Sequence, residues 1–143
     1  MITATSPRHA NLPAARLRVE SAMHRGVLVR PRDTPLSEIA RIMAEYRVHA
    51  VVIADDPDDA ASLWGIVSDL DLVAAASVRE LEEQQAGATA ASPALMVAPR
   101  ESLLRAAQLL TEHATTHLVV VDPLTARPIG VLSTLDIARA LAC

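Results

Sequence analysis

Gly65-Ile66-Val67-Ser68-Asp69-Leu70-Asp71 returns later in the chain as Gly130-Val131-Leu132-Ser133-Thr134-Leu135-Asp136. Each stretch runs Gly, two apolar residues, Ser, two variable residues, Asp. One copy alone is a weak signal. Two copies make self-similarity the first thing to follow outward, because a missed repeat misassigns a whole fold.

Upstream of each stretch lies the same series of segments. Ala50-Val51-Val52-Ile53-Ala54 is too short for a buried helix and β-branched enough for a buried strand, and Leu118 to Val121 is its counterpart. Before these, Leu36, Ile39, Ala40 and Met43 fall at i, i+3, i+4 and i+7, which predicts a helix from Leu36 to about Glu45 with one apolar face. Thr34-Pro35 supplies its N-cap and first helical position. The matching helix runs from Leu103 to about His113 behind a Ser102 cap. Short strands are expected at Val27–Val29 and Leu95–Val97. Leu63–Val67 and Pro128–Leu132 read as returning strands, and Ser68 and Ser133 open the last helix of each copy.

Leu36, Ala40, Met43, Glu45 and Asp55 pair with Leu103, Ala107, Leu110, Glu112 and Asp122, each 67 positions later; the offset falls to 65 at Gly65 and Gly130. The first hairpin loop is therefore two residues longer, as suits a surface turn. The helix from Asp69 is expected through Ala76 and on to Gln85. The fold class is α/β (α+β): two β-α-β-β-α units related by a pseudo-two-fold axis, with small sheets packed against helices. The expected organisation is a flexible tail over 1–16, a first repeat over 17–76, a connecting helix and linker over 77–90, and a second repeat over 91–143. Each half looks too small to cover its own sheet, so one shared core is expected. A ligand crevice belongs where such halves meet.

Composition narrows the function. Of the 143 residues 51% are apolar, enough for a continuous core, while Phe is absent and Trp and Tyr occur once each. Aromatic platforms for stacking nucleic-acid bases are thus lacking. A net charge of −4 without a dense Lys/Arg cluster argues against DNA or an anionic membrane as partner. The only Cys is Cys143, so no internal disulfide is expected and a cytoplasmic location is the default. Neither a secretory signal nor a membrane-spanning run stands out.

Several constellations invite chemistry and fall short of it. His113 and His117 have i, i+4 spacing, but the helix should end between them and no third zinc ligand is evident. His117 reads as a strand start lining a cleft or the surface, and His24 and His49 as surface or polar-rim residues. Gly65 to Ser68 lacks the Gly-x-Ser-x-Gly elbow and its His/acid partners, so catalysis is not expected. Asp55 to Asp59 lacks the twelve-residue calcium loop and reads as a solvated hairpin tip. Trp64 reads as core or as a dimer contact. The Ser-x-x-Asp elements have two readings: a helix N-cap closed by its own Asp, or a ligand site, with Gly following a strand where backbone approaches closely.

Both copies resemble the cystathionine-β-synthase (CBS) domain. The resemblance rests on the early short strand, the helix with an Ala-x-x-Met-like face, the Val-rich strand, the hairpin, and the Gly-h-h-Ser/Thr-x-x-Asp helix opening, where h is apolar. It covers roughly residues 18 to 141, which implies a stand-alone tandem pair, or Bateman module. Ala22-Met23-His24 is similar to the family's Met-Thr-like entrance to the first strand. The resemblance implies regulatory binding of AMP, ADP, ATP or S-adenosylmethionine between the repeats, with no cofactor required. In that setting Asp71 or Asp136 accepts hydrogen bonds from ribose hydroxyls, and Ser68, Ser133 and helix N-terminal amides donate to phosphate. Arg139, three residues after Asp136, is placed to approach a phosphate where Ala74 stands in the first copy. The Asp136 cleft is therefore favoured for phosphorylated ligands, with His117 as a further lining residue. The family also implies a homodimer through helical faces and an unidentified regulated protein; the competing reading is a structural homodimerisation module without a ligand.

Overall fold

Val51, Val52 and Ile53 have no exposed surface, and neither do Leu118, Val119 and Val120. Runs buried on both faces need cover on both sides, and the architecture supplies it. The computed structural model describes residues 11–142. In chain order its elements are α1 (Pro13–Arg16), α2 (Val19–Ala22), β1 (His24–Arg25), β2 (Val29–Arg30), α3 (Leu36–Tyr46), β3 (Ala50–Ala54), β4 (Leu63–Ser68) and α4 (Asp69–Ala76). There follow α5 (Ala86–Thr89), β5 (Met96–Val97), α6 (Leu103–Glu112), β6 (His117–Val121), β7 (Pro128–Ser133) and α7 (Thr134–Ala142). No helix among them is long and apolar enough to cross a membrane.

The strands form two sheets, ordered β2-β3-β4 and β1-β7-β6-β5. β2 runs parallel to β3 with Val29 opposite Val52, and β5 parallel to β6 with Met96 opposite Val119. Parallel neighbours require a crossover, which α3 and α6 provide. The antiparallel pairs β3–β4 and β6–β7 each carry a register shift, between Ile53 and Ala54 and between Val120 and Val121. These features repeat at the 67-residue offset, so the two α+β halves have the same construction.

Three apolar clusters form. Leu36, Ile39, Ile42 and Met43 of α3 pack with Val51, Ile53 and Val67 and with Leu72 and Ala75 of α4. Leu103, Ala106 and Leu110 of α6 pack with Leu118, Val120, Leu132 and Ile137. Val52, Ile66 and Val119 make a third cluster with Val29 and Val131 against it, joining strands of both sheets. The single shared core expected from the sequence is thus three layers. The alternation of each strand sends Val51 and Ile53 to one cluster and Val52 to another.

The halves also exchange segments. Val19 and Met23 belong to the second half's core, and Ala86 to the first half's. Backbone bonds repeat the exchange: Val19 N–H donates to the Glu101 carbonyl at 2.9 Å and Leu103 N–H to Leu17 at 2.9 Å, as Ala86 N–H donates to Thr34 at 2.8 Å and Leu36 N–H to Gln84 at 2.9 Å. β1 pairs with β7 of the other half, and Ala91 bridges to Ile66 of β4.

Further expectations need correcting. The helix after Ser68 stops at Ala76 rather than reaching Gln85. Ser77 Oγ donates to the Ala74 carbonyl, and Gln84 Nε2 donates to those of Ala75 and Arg79, which satisfies the helix end and turns the chain back. Thr34 does not cap α3; Pro35 holds the N-cap position, while Thr34 is buried with its carbonyl given to Ala86. The expected tail over 1–16 is helical at α1, where Ala14 packs against the second core; residues 1–10 and Cys143 lie outside the described residues. Of the two readings of Trp64, core or dimer contact, the core one fails: the residue is 37% exposed, its Nε1 donating to the Gly87 carbonyl at 2.8 Å and Arg32 lying 4.8 Å from its ring centre.

Gly65 and Gly130 sit inside β4 and β7 rather than after a strand, and the approach they allow is that of the exchanged segments. A Cβ on Gly130 would meet the His24 carbonyl oxygen at 2.5 Å and Met23 Sδ at 3.2 Å; one on Gly65 would meet the Ala91 carbonyl oxygen and lie 3.1 Å from Ala90 Cβ. Backbone cannot yield here as a side-chain tip does. Gly65→Ala and Gly130→Ala should each lower stability by about 1–3 kcal/mol, as overpacking does. Urea unfolding of each variant reads this directly, and an unchanged midpoint in both would refute the close-approach account.

Candidate functional site

The two Ser-x-x-Asp elements sit at the β4–α4 and β7–α7 junctions, and in both the N-cap is complete. Ser68 Oγ accepts from Asp71 N–H at 3.2 Å, while Asp71 Oδ2 accepts from Ser68 N–H at 2.8 Å. Ser133 Oγ accepts from Asp136 N–H at 3.1 Å, while Asp136 Oδ2 accepts from Ser133 N–H at 2.8 Å. Each is a capping box in its Asp form. One carboxylate oxygen is used in each; the other is where the halves part company.

Asp136 Oδ1 lies 3.0 Å from His24 Nδ1, with the Asp136 side chain 3% exposed and that of His24 70% exposed. His24 comes from β1, the strand the first half lends to the second sheet. Asp71, by contrast, is only half-buried, and its carboxylate's one recorded bond among the described residues is to Ser68.

Beside Asp136 opens a cleft of about 480 Å³. Its apolar wall is Val27, Leu28, Val48, Ala50 and Val131; its polar wall is His24, His49, His117, Ser133 and Asp136; Arg25, Tyr46 and Arg47 complete it. The first half supplies the segments around β1 and after α3, and the second half supplies β6, β7 and the start of α7. Arg47 adopts a left-handed conformation with φ of 55°, and its N–H donates to the Met43 carbonyl. That residue ends α3 and swings Val48 and His49 into the wall.

The histidines are held differently. His117 Nδ1 lies 2.8 Å from Thr116 Oγ1, and burial pushes its pKa below the ordinary 6.5, against smaller upward contributions led by Asp69 and Asp136. It is a neutral donor and acceptor at neutral pH. His49 Nδ1 lies 3.2 Å from Asp69 Oδ2, and both side chains are exposed. Among the described residues no group of three His, Cys, Asp or Glu is arranged to hold a metal ion.

Of the residues singled out in the sequence, Ser133, Asp136 and His117 come together in this cleft, and His24 and His49 stand in its wall. Ser68 and Asp71 belong to the other junction, and Arg139, exposed on α7, is not part of the cleft's lining. Arg25, Tyr46 and Arg47 went unremarked in the sequence. The 67-residue offset puts Arg47 opposite Ala114, which also has a positive φ of 50°, so the repeat carried a backbone signal there but no chemical one.

Comparison with protein families matches the CBS domain twice, over residues 19–78 and 88–143. No curated protein matches the sequence. Among solved structures, the crystal structure of CBSX2 in complex with AMP is 25% identical, covering 88% of this chain and 96% of that one with a TM-score of 0.69. A CBS domain pair in complex with 5′-methylthioadenosine and S-adenosyl-L-methionine is 17% identical, covering 87% and 95%, with a TM-score of 0.75. The hexameric CBS-CP12 protein from bloom-forming cyanobacteria is 19% identical, covering 85% and 69%, with a TM-score of 0.74. With two matches that span most of its length and the exchanged two-sheet architecture described above, this chain belongs to the CBS domain family as a tandem pair of repeats.

Proposed function

We propose that this chain is a regulatory module, not an enzyme, that binds an adenine nucleotide or related adenosyl ligand in the Asp136 cleft and passes the resulting change to a partner protein. The observation that carries the reading is the cleft itself. Its volume of about 480 Å³ falls within the range of small-molecule pockets, about 300–1,000 Å³. Apolar walls of Val27, Leu28, Val48 and Val131 suit a base, and Asp136 suits a ribose diol. Arg25, Arg47 and His49 put donors on the same cleft of an acidic protein, which favours a phosphorylated ligand there. The AMP and S-adenosylmethionine complexes of similar domain pairs support the same ligand class.

A cytoplasmic setting fits a nucleotide sensor. Because the cleft is lined from both halves, a ligand with different affinity for two arrangements of them shifts their balance. The outer faces of α4 and α7 expose Leu70 (70%), Val73 (67%), Leu135 (50%) and Leu141 (48%), and pairing with a second copy covers them. That surface also favours the second reading, a homodimerisation module whose capping boxes only start helices.

Thermal unfolding with AMP, ADP, ATP and S-adenosylmethionine separates the two. Ligand at 100 times its dissociation constant should add about 2.7 kcal/mol to folding and raise the midpoint. No shift with any of the four sinks the sensor reading. Asp136→Ala should weaken AMP by about 10- to 100-fold, the range for hydrogen bonds to a charged group, and Asp71→Ala much less. Equal losses in titration calorimetry would overturn the choice of cleft. In sedimentation at micromolar concentration the chain should run as a dimer and Val73→Asp as a monomer; a monomeric wild type contradicts the pairing.

A further inference from the structure

We propose that His24 is a latch on the Asp136 carboxylate, which the hydroxyls of an incoming ligand must displace. This rests on the functional reading above and concerns the same cleft.

Asp136 Oδ2 accepts from Ser133 N–H at 2.8 Å, and Oδ1 is in polar contact with His24 Nδ1 at 3.0 Å. The acid is sealed, at 3% exposure, while the ring that covers it is 70% exposed and lines the cleft. A hydroxyl reaching for Asp136 from the cleft therefore meets the imidazole first. The ring is free to turn into solvent. The carboxylate is not, because its other oxygen closes the cap of α7.

The repeat supplies its own control. His24 lies opposite Val131 and over Gly130 exactly as its counterpart 67 residues on, Ala91, lies opposite Ile66 and over Gly65. The Ala91 side chain has no donor to offer, and Asp71 is correspondingly more exposed than Asp136. The latch is thus a property of one junction. A ligand that opens it must replace the lost polar contact with donors of its own, as a vicinal diol does; an anionic group set against the carboxylate does not.

Titration calorimetry with AMP tests this on the wild type, His24→Ala, and His24→Ala combined with Asp136→Ala. Removing the latch should tighten AMP by about 2- to 5-fold, the value of one solvent-exposed ion-pair contact, and the added Asp136→Ala should erase the gain. Equal affinity in wild type and His24→Ala overturns the latch while leaving the nucleotide reading in place. Weaker binding by His24→Ala also overturns it, since His24 is then a ligand contact. Binding to neither protein overturns the nucleotide reading and the latch with it. In the wild type, saturating AMP should move the His24 ring nitrogen resonances to those of a solvated imidazole; unchanged resonances under bound AMP refute displacement without recourse to any variant.

Discussion

Two backbone crossings hold this molecule's architecture in place: the His24 carbonyl passes over Gly130, and the Ala91 carbonyl passes over Gly65. Only a residue without a side chain lets a strand of one half come this close to a strand of the other. The consequences spread outward from there. Val19 and Met23 complete the second core, Ala86 completes the first, and the amides that begin α3 and α6 find their acceptors at Gln84 and Leu17. Each half's helix start is thus satisfied by chain remote in sequence. The halves do not stand as separate folding units, because each takes part of its core from the other.

The same crossing builds the cleft. β1 has only two residues, too few to contribute much stability, yet it carries His24 to Asp136 and Arg25 to the cleft's edge. The chain's net charge of −4 says nothing of this local arrangement. Arg25, Arg47 and His49 line the same cleft as the buried Asp136, while His117 is kept neutral by burial. The acidic hairpin tip is instead tied off by cations: Asp55 to Arg32 at 3.1 Å, and Asp58 to Arg127 of the other half at 3.2 Å. These pairs are half-exposed and contribute little energy, but they leave the tip's charge answered where it arises.

The repeat, the α+β class and the long elements were legible because they are local: a 3.6-residue period marked α3 and α6, and β-branched runs marked β3 and β6. The exchange was not legible, since nothing in the period of a segment says which sheet it joins. The offset of 67 nonetheless held more than was drawn from it. It pairs Pro35 with Ser102, so the capping position of α3 was visible in the repeat while Thr34, one residue off, attracted attention by residue type. It likewise pairs Val19 with Ala86, which marks the segment before Met96 as the counterpart of the chain's beginning rather than as the continuation of a helix. The cleft was half legible. Ser133, Asp136 and His117 have motif or strand positions to betray them, whereas Arg25, Tyr46 and Arg47 owe their place to a crossing strand and one left-handed residue.

Capping and ligand binding first looked like rival readings of Ser-x-x-Asp, and the geometry shows why they need not compete. The cap takes one oxygen of each acid, Oδ2, and in doing so fixes the direction of the other. A carboxylate already locked by its helix loses little freedom when a ligand engages the remaining oxygen, which is preorganisation in its simplest form. What decides whether that oxygen is open or covered is not the motif, which is common to both halves. It is the residue that the crossing segment carries at that position, His24 against Asp136 in one junction and Ala91, without a polar side chain, opposite Ile66 in the other. Two near-identical motifs acquire different chemistry through the exchanged strands, so the asymmetry of the site and the interlocking of the halves have one physical origin.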